Sequence, residues 1–250
     1  MIYCISDIHG CYDDFMDLLE QIKFDMSNDT IYILGDMIDR GDKPVDCINY
    51  IMNTRNVYFI NGNHEQMMLD YYNKGDDLWF YNGNEETLQQ LTCLHESQFD
   101  RIFSFISEAP YYKTVEVNEK QYFLSHAGLC VSVPFESQKE RDLVWSREDF
   151  YEYKALENYT CIFGHTPTPY LRDSLNCAVW FDTNHYDKIC IDCGCVYGGA
   201  LAAIRLDDGK IFYVKSRNEQ IYRQKWKIED FSVPEGFFTQ FTQEEENIKE

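Results

Sequence analysis

The sequence predicts an α/β (α+β) fold, a two-sheet mixed β sandwich flanked by helices. Three observations carry this. Strand-like apolar runs alternate with helical patterns through the first third of the chain. After Pro110 short strand-like runs follow one another closely, with turn signals between them. The 250 residues, 44% apolar and 26% charged, are a normal globular mixture, enough for one large core or two small ones.

The elements follow in order. "MIYCIS" reads as a short buried strand, and "CYDDFMDLLEQIK" as a helix with Phe15, Leu18, Leu19 and Ile22 on one face. Asn28 and Asp29 mark a turn before the strand "TIYILG". Pro44, tolerated in a first helical turn, opens "PVDCINYIMNTR". The strand "VYFI" then leads into the helix "HEQMMLDYY". Such alternation favours a sheet with a parallel centre, covered on both faces. Residues 76 to about 108 read as helical, through Leu88, Leu91, Leu94, Phe99, Ile102, Phe103 and Ile106. The runs "YYKTVEV", "QYFLSH", "TCIFGH", "AVWFD", "KICID", "ALAAIRL" and "KIFYVK" read as strands of a second, more antiparallel sheet, with turns at Asn118-Glu119 and Asp208-Gly209. One domain is expected over residues 1–216. Residues 217–250 are expected to be an extension packed on the surface, partly frayed, ending in the acidic "QEEENIKE".

Several function classes are excluded. The apolar runs fall short of a membrane span, so no membrane association is expected. The opening "MIYCISDIHG" lacks a basic segment and already carries charge, so no signal peptide is expected. Most of the ten cysteines lie in apolar runs (Cys4, Cys161 and Cys190 among them) and read as small buried hydrophobes in a reducing cytoplasm. The cluster "CIDCGC" (Cys190, Cys193, Cys195) has partial metal spacing, but no second Cys/His pair nearby completes a zinc site. A net charge of −21, from 22 basic and 43 acidic residues, argues against duplex nucleic acid as a partner. A phosphorylated substrate would need a locally positive pocket.

The ends of the strands are the chemical signal. They read "SDIHG", "GDMIDRG", "NGNHE", "SHAG" and "GHTP". Open α/β sheets gather ligands outside the carboxyl ends of strands, so Asp7, His9, Asp36, Asn63, His126 and His165 are expected to converge. Carboxylates with imidazoles suit a first-row divalent ion. Six candidate ligands are too many for one structural zinc and fit two ions sharing a carboxylate. Two ions about 3.5–4 Å apart can hold a bridging hydroxide and the oxygens of an in-line displacement at phosphorus. Gly10, Gly35, Gly41, Gly62, Gly128 and Gly164 stand beside these ligands and permit tight turns. Asn61-Gly62 is by itself a hairpin signal. Since a helical pattern follows, it is read as a strand-to-helix turn presenting Asn63, with Glu65 in the first helical turn.

Together the five blocks, spanning residues 6–167, resemble the calcineurin-like metallophosphoesterase superfamily, in its phosphoprotein phosphatase branch. The bacterial and phage-type serine/threonine phosphatases and the symmetrical diadenosine tetraphosphatases share the pattern, and "IDCGCVYGGALAAIRL" is similar to the family's closing strands. The resemblance implies a four-layer architecture and two divalent metal ions. Asp7, His9 and Asp36 would bind one ion; Asp36, as the bridge, Asn63, His126 and His165 would bind the other. Manganese is the first expectation, with iron, zinc or magnesium as alternatives. His64 matches the general acid that protonates the leaving oxygen, and Asp39 its positioning carboxylate. Arg40 matches an arginine that grips phosphate, and Arg147 of "VWSRED" resembles a second.

The implied activity is hydrolysis of phosphate monoesters on a phosphorylated protein or small molecule, by attack of a metal-bridging hydroxide. The alternatives are a symmetrical dinucleoside tetraphosphatase or a non-catalytic phosphate-binding scaffold. His95 and His185 match no block and are expected at the surface or in loops. Trp145 is expected in the core or a pocket wall, and the aromatic-rich "YYNKGDDLWFYNGNEE" in packing.

Overall fold

The structure is a computed structural model describing residues 1–172, 174–220, 226–229, 233–235 and 237–238. The chain begins with three successive strand–helix units: β1 (Ile2–Ile5), α1 (Tyr12–Ile22), β2 (Thr30–Leu34), α2 (Pro44–Asn53), β3 (Val57–Ile60) and α3 (Asn63–Lys74). The helical stretch expected over residues 76–108 is broken into a 3-10 turn at Asp77–Tyr81, α4 (Glu85–Thr92) and α5 (Glu96–Glu108). Gly75 and Gly83, at φ +70° and +81°, take left-handed backbone that stops each preceding turn. His95 accepts the N–H of Ser97 and caps α5.

The second half runs β4 (Tyr112–Val117), β5 (Lys120–Ser125), α6 (Glu140–Trp145), α7 (Glu148–Glu152), β6 (Tyr159–Phe163), α8 (Thr168–Arg172), β7 (Trp180–Phe181), β8 (Lys188–Cys190), β9 (Ala200–Arg205) and β10 (Ile211–Lys215). Helices α6 to α8 have five or six residues each, too few to display a helical period in sequence. The strand expected at "AVWFD" contracts to two residues. Most of the expected surface extension, including the acidic terminus, lies outside the described residues.

Ten strands form two five-stranded sheets, ordered β10-β9-β1-β2-β3 and β4-β5-β6-β8-β7. In the first, β1, β2 and β3 are parallel, β9 is antiparallel to β1, and β10 is antiparallel to β9. The second also has a parallel centre, β5-β6-β8, flanked by antiparallel β4 and β7. It is thus less antiparallel than expected, because α6 to α8 supply the crossovers that parallel strands need.

Alternation along the strands sorts the core into layers. Tyr3 and Ile5 of β1 face the helices, among Phe15, Leu18 and Ile48. Cys4 between them faces the other sheet, with Leu34, Ile60, Leu124, Ile162, Ile189 and Ala202. Phe123, Cys161, Phe163 and Cys190 point outward from the second sheet onto Leu143 and Phe150. The layers are helix, sheet, sheet, helix. Burying each large aliphatic chain contributes about 1.5–3 kcal/mol, and a one-residue slip would send every one to the wrong face. No helix among the described residues is long and apolar enough to cross a membrane.

Candidate active site

Loops at the carboxyl ends of β1, β2, β3, β5 and β6 meet at one end of the sandwich, as the strand-end pattern predicts. Their backbone is unusual. Asp7, His9, Asp36, Asp39, Arg40 and His165 all take positive φ, between 45° and 70°. Such backbone costs about 1–3 kcal/mol per residue and persists where surrounding structure enforces it, often at functional sites. The loops are also very close: a Cβ on Gly62 would stand 2.2 Å from Asp36 Oδ1, and one on Gly164 2.0 Å from Asp7 Oδ2. Glycine is required there.

Asp36 is the centre. Its Oδ2 lies 3.4 Å from both His9 Nε2 and His126 Nε2, and 3.9 Å from His64 Nε2. Asn63 Oδ1 lies 2.9 Å from His126 Nε2 and 2.9 Å from His165 Nδ1, which are 3.2 Å apart. Backbone carbonyls of Ile38 and Leu34 accept from His9 Nδ1 and His126 Nδ1, at 2.8 Å each, turning both Nε2 atoms inward. Ligand atoms bonded at about 2.0–2.2 Å to one ion stand roughly 3.0–3.4 Å apart. The contacts of 2.9 to 3.4 Å among Asp36, Asn63, His126 and His165 lie close to that spacing, and the donor set fits a divalent cation. Burial and Arg40 hold His9 well below the usual histidine range, and burial does the same for His165, so both keep lone pairs. Burial opposes protonation of His126, but Asp36 outweighs it and holds the proton up to about 10. The cage attracts positive charge.

Asp7 sits slightly apart. It lines the same cavity, and its carboxylate accepts the His165 backbone N–H at 3.1 and 3.2 Å. The group that gathers most tightly on the other side of Asp36 is His9 with His64, rather than His9 with Asp7. Arg40 Nη1 donates to His9 Nε2 at 2.7 Å.

His64 and Asp39 form a buried pair, with Nδ1 donating to Asp39 Oδ2 at 2.6 Å. Trp79 Nε1 donates to the same oxygen at 2.8 Å, and the Asp39 backbone N–H is held by Thr87 Oγ1. His64 Nε2 is buried without a partner among the described residues, as is His165 Nε2. Arg40 lies over the Tyr197 ring, 5.4 Å from its centroid. Arg147 donates to Thr166 Oγ1, which also accepts from Tyr151 Oη at 2.8 Å. Both arginines line a cavity of about 650 Å³ with Asp7, His9 and His165.

The structure adds residues that sequence reasoning missed. Glu65 is fully buried and accepts the N–H groups of Asp36, Met37, Ile38 and Gly62, clamping the β2 and β3 loops together. Burial and nearby Asp36 raise its carboxyl to about 8. Asp192, at the end of β8, lines the cavity too, and burial raises it to about 6. The strand-end rule that selected the others would have found it. Trp79 goes beyond the packing role expected for its aromatic stretch. Trp145 packs edge-on against His165 as a wall, 5.7 Å between centroids. His95 is exposed; His185 lies in a loop, 3.3 Å from Asp182.

Imidazoles and carboxylates gathered at strand ends beside two arginines are groups suited to metal-dependent hydrolysis of phosphate esters. The family model for calcineurin-like phosphoesterases matches residues 1–203, and the chain belongs to that family. It is 30% identical over 213 residues to serine/threonine-protein phosphatase 1 of Salmonella typhimurium, covering 82% of this chain and 91% of that protein. It is also 30% identical over 145 residues to the symmetrical bis(5'-nucleosyl)-tetraphosphatase of Salmonella paratyphi B, covering 55% of this chain and 46% of that one. Among solved structures, a chain provisionally assigned as a diadenosine tetraphosphatase aligns with a TM-score of 0.66 at 21% identity, over 87% of this chain and 94% of the other. A serine/threonine phosphatase from Saccharomyces cerevisiae aligns with a TM-score of 0.59 at 15% identity, over 94% and 81%. These two structural likenesses speak to the fold alone.

Proposed function

We propose that this protein is a phosphomonoesterase acting on phosphoserine or phosphothreonine in proteins. One observation carries the chemistry: a buried His–Asp pair leaves His64 Nε2 free beside Asp36, in a site that also presents two arginines. Asp7, His9 and Asp36 would hold one divalent ion, and Asp36, Asn63, His126 and His165 a second, manganese being the first choice. When bound, the ions supply Lewis acidity at the phosphoryl oxygens and lower the pKa of water. Arg40 and Arg147 bind the phosphoryl oxygens and neutralise charge that grows as the P–O bond breaks. His64 gives its Nε2 proton to the leaving serine or threonine oxygen, while Asp39 holds the ring and stabilises its charged form.

The two arginines and the cations resolve the charge problem, making a positive pocket inside an acidic body. Two features favour a phosphoprotein over a dinucleoside tetraphosphate. The sequence similarity to the phosphatase runs through most of both chains, whereas that to the symmetrical bis(5'-nucleosyl)-tetraphosphatases of Salmonella paratyphi B and Buchnera aphidicola spans less than half of their length. Exposed Glu148 and Glu152 also line the cavity, and carboxylates there repel a polyanion. Residues 1–216 would form the catalytic unit and 217–250 an extension. All ten cysteines are free, which supports a reducing cytoplasmic setting.

The test is a substrate panel with purified protein and manganese: phosphopeptides, p-nitrophenyl phosphate and diadenosine tetraphosphate. Release of phosphate from phosphopeptides, lost in Asp36→Asn and His64→Asn, is the expected result. ADP formation from the tetraphosphate at a higher kcat/KM would replace this reading with the anhydride hydrolase. Bound metal without turnover of any substrate would leave a scaffold.

A further inference from the structure

The cysteines of "CIDCGC" supply none of the candidate ligands or proton donors above, although Cys195 borders the cavity, and the fold separates them. Cys190 faces outward from the second sheet beside Phe123 and Phe163, and Cys193 faces between the sheets. Cys195 instead meets Cys11 and Asp14. All three side chains are buried, and one ligand atom from each lies within 4.8 Å of the other two. Cys195 Sγ donates to Asp14 Oδ2 at 3.6 Å. Asn218 Nδ2 approaches Cys11 Sγ at 3.5 Å, and the Arg217 guanidinium reaches Asp14 Oδ1 at 3.4 Å.

We propose that Cys11, Asp14 and Cys195 form a binding site for a thiophilic divalent cation, zinc in the first place, separate from the phosphoesterase centre. Two sulfurs and a carboxylate select zinc over magnesium or manganese, which prefer oxygen. The spacing agrees. Bonds of about 2.3 Å to sulfur and about 2.0–2.2 Å to oxygen place tetrahedral ligands roughly 3.5–3.8 Å apart, the range of the Cys195–Asp14 contact. The charge also closes, since two thiolates and a carboxylate balance a divalent ion plus Arg217. Asn218 borders the cluster through its contact with Cys11 Sγ, and its side-chain amide can present either Nδ2 or Oδ1 there. The comparable cluster of Asp182, His185 and Asp187 differs, because the Lys188 ammonium already occupies it, 2.5 Å from Asp187 and 2.7 Å from Asp182.

The site has a structural consequence. Cys11 opens α1 two residues after His9. Cys195 begins the 3-10 turn Cys195–Tyr197, which lines the catalytic cavity and brings Tyr197 to Arg40. A cation bound there ties the β1 loop to the wall that supports the phosphate-binding arginine.

Cobalt(II) titration of the reduced, metal-free, full-length protein tests this, because sulfur-to-cobalt charge-transfer absorption reports only thiolate ligation. Cobalt on the nitrogen and oxygen ligands of the catalytic centre gives no such band. The expected band saturates at one equivalent, disappears in Cys11→Ser and Cys195→Ser, weakens at least tenfold in affinity in Asp14→Asn, and survives in Asp36→Asn and Cys193→Ser. Absence of the band in the wild type, or its survival in Cys195→Ser, overturns the proposal. Should a cysteine variant fail to fold, cadmium NMR of the wild type decides: a resonance in the sulfur-ligated range supports the site, and oxygen–nitrogen resonances alone overturn it.

Discussion

Asp39 Oδ2 accepts from two buried donors at once, the His64 imidazole and the Trp79 indole. The indole bond fixes where the carboxylate points, and through it the angle of His64. Trp79→Phe keeps an aromatic ring and removes that donor together with the five-membered ring. A hydrogen bond to a charged group is worth about 1.5–3 kcal/mol, so kcat is expected to fall roughly 10- to 100-fold at unchanged metal content, measured by steady-state kinetics with metal analysis. In a second buried cluster, around Lys188, burial raises the Asp187 carboxyl while Asp182 serves stability. Burial opposes ionisation of Asp182, but Lys188 outweighs it and holds the carboxyl below its ordinary 3.8. A carboxylate shifted in that direction contributes stability above 3.8 that is lost as pH falls through the lowered folded value. Urea midpoints should therefore drop below pH 3.8. Lys188→Met strands two buried carboxylates and is expected to cost about 3–5 kcal/mol at neutral pH, with part of that loss recovered on acidification as they protonate.

The site's elements are short parallel strands whose loops are pressed together. The turn after β3 shows why an Asn-Gly sequence need not make a hairpin. Asn61 Nδ2 donates to the carbonyls of Ile106 and Ala109, fastening the end of α5, while Gly62 lets the chain pass against Asp36. Asn63 and His64 then start α3 directly, and Glu65 reaches back to the β2 loop. Gly62→Ala places a methyl group 2.2 Å from Asp36 Oδ1 and forces the two loops apart. Manganese affinity is expected to weaken at least tenfold, read by calorimetric titration, with circular dichroism confirming that the sheets persist.

At the scale of the whole molecule, a net charge of −21 surrounds a pocket that must receive an anion. The acidic rim then acts as a filter. Glu148 and Glu152 stand one turn apart on α7, with no cation paired to either among the described residues. Like charges at that spacing destabilise a helix by about 0.2–0.5 kcal/mol, a cost consistent with a role toward substrate. Replacing both by lysine is expected to raise kcat/KM for anionic phosphopeptides about tenfold and to lower it for basic ones. The difference should shrink as salt is raised, since exposed charges are screened.

The strand-end set, the sandwich and its alternating faces were legible in the sequence because they follow from local rules. Apolar residues at a period of two make a strand with two faces, and loops at strand ends carry polar groups and glycine. Asp7, His9, Asp36, His126 and His165 lie in such loops and Asn63 at the helix start just past one, so their convergence followed once the strands were known to be parallel neighbours. What local rules do not carry is which distant side chains touch. Trp79 reaches Asp39, Glu65 spans two loops, and Cys11 meets Cys195 only because two sheets and their helices close over one another. The short helices α6 to α8 belong with these, being too brief to nucleate or show a period alone. Local pattern specifies where chemistry can sit, and packing across the two sheets decides which groups meet there.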